Sequence, residues 1–170
     1  MAKPSKALHQ NVGANGNRKL ALIASKGSLD MAYPPLILAN AARMSGIDVE
    51  MFFTFWGLDI ITKKKMSGLN VATVGNPNMH PWFGIPTILG MLPGMSAAAS
   101  WMMRGEIKKL GFPRVPEFME LVMDAGAKVY GCKMSMDMMK LTEDDLIDGA
   151  TVLGAMEFMD LTEGAQVIFV

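Results

Sequence analysis

Apolar residues fall along this chain in short unbroken runs, separated by polar segments rich in glycine and proline. Such runs mark strands buried on both faces, whereas a sheet open to water on one side alternates. Residues 19–25 (KLALIAS) form the first run, and Lys26-Gly27-Ser28-Leu29-Asp30 reads as a turn leading to a helix. Pro34 and Pro35 suit the first turn of that helix, where a missing amide donor costs least, and Gly46 provides its stop after about Ser45. Residues 47–55 (IDVEMFFTF) read as a second strand bounded by Trp56-Gly57. Residues 58–65 read as a short helical piece, and 70–74 (NVATV) fit either a weak strand or a loop.

Farther along, residues 76–94 form an apolar loop punctuated by Pro and Gly, and a helix is predicted from Ser96 to near Gly111. Pro113 and Pro116 break the chain before 116–126 (PEFMELVMDAG), whose apolar positions recur at helical spacing and whose Gly126 sits where a helix stops. Residues 128–131 give a third clear strand, and Cys132 follows it directly. A short helix over 134–140, a helix-start composition at 142–145 (TEDD), another helix over 149–161 and a closing strand at 166–170 (QVIFV) complete the pattern. Strands alternating with helices predict a flavodoxin-like α/β fold, with a mostly parallel sheet and helices on both faces. The expected organisation is a disordered leader over residues 1–18, then one domain over 19–170.

Composition narrows the function. Sixteen basic and sixteen acidic side chains leave no net charge, which argues against nucleic-acid binding through a broad basic surface. A charged share of 19% beside an apolar share of 51% points to surface hidden in a homo-oligomer or against a partner. The single cysteine excludes an intramolecular disulfide framework, and with only His9 and His80 beside it no metal site is predicted. The leader lacks the apolar core of a signal peptide, so a cytoplasmic protein is expected. From Met66 to Met103 the chain carries no Asp, Glu, Lys or Arg, long enough to cross a bilayer. Pro77, Pro81, Pro86 and Pro93 break any helix there, so spanning is not expected. The apolar loop needs cover, from the active site, a subunit interface or, through residues 82–103, peripheral contact with a membrane surface.

No dinucleotide or phosphate-loop signature, nucleophile elbow or zinc-protease motif is present. In a parallel sheet, functional groups gather at the carboxyl ends of the strands, and Cys132 stands at such an end before a helix. Amide donors of that helix, with Lys133 nearby, would favour the thiolate, the nucleophilic form. A lone cysteine also serves as small apolar filler, so position alone leaves both roles open. Met134 belongs to a methionine-rich segment that either softens a pocket or fills core, and Asp137 is either a polar partner or an exposed helix residue. Thr54 and Trp56 end the second strand and could line the same cleft, and His80 could lie over it or be merely solvated. No cofactor is predicted.

The segments KLALIASKGSLDMAYPPLILANAA, FFTFWGL, GMLPG and above all YGCKMSMDMM at 130–139 together resemble the DsrE/DsrF/DsrH-like family. The likeness is to its DsrE-like branch, often labelled "peroxiredoxin family protein", and it covers residues 19–170. The resemblance implies a flavodoxin-like fold, a homo-oligomer and a sulfur relay in which Cys132 carries persulfide sulfur, sulfurtransferase-like, to other thiol or small sulfur-carrier proteins. With no second cysteine, any hand-off must involve another molecule. The rival expectations are a non-catalytic scaffold or small-ligand module with an inert thiol, and peroxide reduction at Cys132.

Overall fold

The computed structural model describes residues 18–72 and 94–170. Five strands occur among them: β1 (Lys19–Ala24), β2 (Asp48–Phe53), β3 (Lys128–Cys132), β4 (Ala150–Leu153) and β5 (Gln166–Phe169). They form one sheet in the order β4-β3-β2-β1-β5, with every neighbouring pair parallel. The α/β fold expected from the apolar runs is therefore present. Helices α1 (Leu29–Met44), α2 (Met95–Lys109), α3 (Val115–Asp124), α4 (Lys133–Met139) and α5 (Ala155–Leu161) lie between the strands.

Strand alternation sends side chains to two cores. Leu20, Leu22, Val49, Met51, Phe53 and Val129 join α1 and α3 on one face. Ala21, Phe52, Tyr130 and Cys132 meet Phe158 of α5 on the other. This is the reason the strands read as continuous apolar runs: both faces are covered. On the second face the rings of Phe52 and Phe158 stack at 4.4 Å, and Tyr130 meets Phe158 edge-on at 6.1 Å. Glu50 is buried there without loss, because it accepts the Tyr130 hydroxyl proton at 2.8 Å and faces Lys19 and Lys128.

Several elements differ from the sequence expectation. Helix α1 begins at Leu29, five residues before Pro34, so both prolines lie inside it and leave the backbone carbonyls one turn earlier without their usual donors. Burial of Leu29 and Ala32 against the sheet favours the longer helix over the local preference of proline. Strand β2 stops at Phe53, and a 3₁₀ turn over Phe55–Ile60 replaces the helical piece placed at 58–65. Residues 70–72 carry no regular structure, which leaves only the loop reading for that part of 70–74.

The helix placed at 149–161 is instead a strand and a shorter helix. Gly149 in the left-handed region and Gly154 at the start of α5 bracket β4, which pairs with β3. The signal was four residues long and half-buried, too short for periodicity to separate strand from helix. The predicted leader, Arg18 apart, and the apolar loop up to residue 93 lie outside the described residues. Among the described residues, no helix is long and apolar enough to cross a membrane.

Candidate functional site

Two glycines fix the platform on which the site is built. A Cβ on Gly27 would stand 2.1 Å from the Trp56 carbonyl oxygen, and one on Gly57 would stand 2.1 Å from that of Ala24. Only bare backbone allows the loop after β1 and the turn after β2 to press together so closely. Phe55, at the start of that turn, holds φ 47°, a left-handed conformation unusual for a phenylalanine. Thr54 is thereby presented at the end of β2 beside the end of β3.

Cys132 ends β3 and caps α4 in an extended conformation. Gly131 before it is closely packed, since a Cβ would come within 3.1 Å of Met136 Sδ and Leu146 Cδ1, which would have to shift to admit it. Met136 and Leu146 fill the core against Gly131, on the face of the sheet opposite the cysteine cluster. The Cys132 side chain is 4% exposed and belongs to the cluster with Phe52, Tyr130 and Phe158.

Burial is the largest influence on the thiol and by itself would raise its pKa, but four hydrogen bonds together outweigh it. They come from the Ser135 hydroxyl and backbone N–H, the Thr54 hydroxyl and the Met134 N–H, and the net effect holds the thiol below its ordinary value. Thr54 Oγ1 and Ser135 Oγ are themselves 2.9 Å apart, so the two hydroxyls brace each other as well as the sulfur. The donors are all neutral. A thiolate set among them is a nucleophile shielded from bulk water.

Of the residues singled out from sequence, Cys132 and Thr54 are brought together, and Met134 contributes through its backbone while its side chain is 70% exposed. Lys133 is not a partner of the thiol: its ammonium pairs with Asp137 at 2.5 Å on the exposed side of α4. That pair satisfies both residues one helical turn apart, which gives Asp137 the exposed-helix role rather than the polar-partner one. The methionine-rich segment divides likewise, with Met136 in the core and Met138 outward. Trp56 is 67% exposed, so its indole is not core packing, and its carbonyl meets Gly27. His80 lies outside the described residues.

Ser135 is the residue that sequence reading missed. Its position three after the cysteine is the spacing that returns a side chain in the first helical turn to the capping residue, and that spacing was available in Cys132-Lys133-Met134-Ser135. Tyr130, on the same face as the cysteine, has its ionisation pushed upward, first by burial and then by its hydrogen bond to Glu50, so it stays a neutral donor.

Comparison with known proteins finds relatives of the chain. The DsrE/DsrF/DrsH-like family matches residues 16–169. The sulfur carrier protein DsrE2 of Allochromatium vinosum is 40% identical over 147 residues, covering 84% of this chain and 91% of that one. The uncharacterized protein YrkE of Bacillus subtilis is 26% identical over 160 residues, covering 90% of this chain and 97% of its own length. The crystal structure of the ychN protein from E. coli overlays with a TM-score of 0.53 at 17% identity, covering 90% of this chain and 99% of that one; it shares the fold.

Proposed function

The chain belongs to the DsrE/DsrF/DrsH-like family, and from that membership we propose that it is a sulfur-relay carrier that holds sulfane sulfur as a persulfide on Cys132. The observation that carries the reading is the Cys132 sulfur itself, buried at the carboxyl end of a central strand and held below its ordinary pKa by hydroxyl and amide donors. The relative named as a sulfur carrier supports the same reading.

In the loading step the Cys132 thiolate attacks the outer sulfur of a donor persulfide. A new sulfur–sulfur bond forms at Cys132, the donor's own breaks, and the donor leaves as a thiolate with the bonding pair. With a thiosulfonate donor such as thiosulfate, the leaving group is sulfite. In the unloading step an acceptor thiolate attacks the outer sulfur and Cys132 departs as thiolate. No net oxidation occurs in either transfer, so the site needs no redox cofactor for the exchange. The Thr54 and Ser135 hydroxyls and the two amides stabilise the Cys132 thiolate both before loading and as leaving group.

The acceptor in this reading is a thiol on another molecule, a second subunit, a small thiol or a partner protein, since the chain has no second cysteine. Cold cyanolysis tests the proposal: protein loaded with polysulfide and desalted is expected to release close to one thiocyanate per chain, and Cys132→Ser none. Thiocyanate below a tenth per chain from the loaded wild type would refute it.

A further inference from the structure

A recess lies on the α1/α3 flank, lined by none of the residues that hold Cys132. It has a volume of about 410 Å³ and sits between the start of α1, the end of α2 and the start of α3. That size suits a small organic molecule. Because α1 and α3 run antiparallel to the strands they connect, their first turns lie at the carboxyl end of the sheet, where parallel α/β folds take their ligands. Leu29 and Val115, both buried, give the recess an apolar floor, and Ile107 and Phe112 give it apolar walls.

Three cations line the same space, Arg104, Lys108 and Arg114, against one carboxylate, Glu117. Glu117 is engaged locally, accepting the Arg114 backbone N–H at 3.0 Å to cap α3. Arg104 is fixed rather than free to swing, because its guanidinium donates to the Leu69 carbonyl at 2.7 Å. The Tyr33 hydroxyl donates to the Pro113 carbonyl at 3.1 Å and ties the α1 wall to the segment entering α3. Among the described residues, none of the three cations forms an ion pair with a carboxylate, whereas the adjacent Lys109 does, with Glu106 at 2.6 Å. The recess therefore joins an apolar floor to an excess of two positive charges.

We infer that this recess binds a small amphiphilic organic anion, with its carboxylate, sulfonate or phosphate head at Arg104, Lys108 and Arg114 and its apolar body on Leu29, Phe112 and Val115. The inference stands on the recess and its charges and is independent of the role of Cys132.

Fluorescence titration with 8-anilinonaphthalene-1-sulfonate tests it, with the uncharged N-phenyl-1-naphthylamine as comparison probe. Wild type and Cys132→Ser are expected to bind the sulfonate at one saturable site per chain, weakened by added salt. The double variant Lys108→Glu/Arg114→Glu, whose side chains form no ion pair among the described residues, is expected to raise the dissociation constant at least tenfold for the sulfonate and less than threefold for the uncharged probe. Lys109→Glu, already paired away from the recess, is expected to leave both unchanged. Non-saturating fluorescence, or equal sulfonate affinity in wild type and the double variant, would overturn the inference.

Discussion

At Cys132 the balance between burial and hydrogen bonding decides the chemistry. Removing the Thr54 hydroxyl by Thr54→Val, or that of Ser135 by Ser135→Ala, takes away a donor to the thiolate and leaves the desolvation in place. Each variant is expected to shift the thiol pKa upward and to slow iodoacetamide alkylation near neutral pH, and a pH–rate profile reads both. By contrast Lys133→Ala is expected to change that profile little, because the ammonium is engaged with Asp137 on the exposed side of the helix. The same depression enters stability with a definite sign. The folded thiol titrates below the ordinary value of 9.0, so its contribution is fully present above that pH and is lost as pH falls through the folded pKa. Chemical denaturation of wild type and Cys132→Ser across that range measures the difference.

At the scale of elements, the turn after β2 and the short helix α5 hold the site from opposite sides. A methyl on Gly57 would overlap the Ala24 carbonyl oxygen, and the backbone contact offers no flexible side chain to yield. Gly57→Ala is expected to cost about 2 kcal/mol in urea denaturation, within the range for overpacking a tight interior. Phe158→Ala removes the ring that stacks on Phe52 and covers the cysteine face of the sheet. A loss of about 3–4 kcal/mol is expected, together with faster reaction of Cys132 with a disulfide reagent. The order of strands and helices was legible because both-face burial writes itself as continuous apolar runs, as in 19–25 and 128–131. Strand β4 was not legible, because four half-buried residues carry no period. The site was half legible: Cys132 and Thr54 stand at strand ends, but Lys133 was credited by adjacency when helix geometry turns it toward Asp137.

Across the whole molecule, apolar surface remains on the outer edge of the sheet. Val167 and Phe169 of the edge strand β5 are exposed, as are Met156 and Met159 of α5. An apolar strand edge with no neighbouring strand among the described residues favours association with another chain. A homo-oligomer is therefore expected, and sedimentation of wild type beside Val167→Lys/Phe169→Lys is expected to show a lower mass for the variant. The relay reading itself rests on one atom, the Cys132 sulfur, in a chain with no other thiol to share its chemistry. Intact-protein mass spectrometry after brief exposure to polysulfide and, separately, to peroxide addresses that atom most directly. Sulfur-sized additions to the wild type, absent from Cys132→Ser and removed by reductant, are the predicted result. A wild-type chain that polysulfide leaves unmodified, while peroxide adds oxygen at Cys132, would contradict the carrier role.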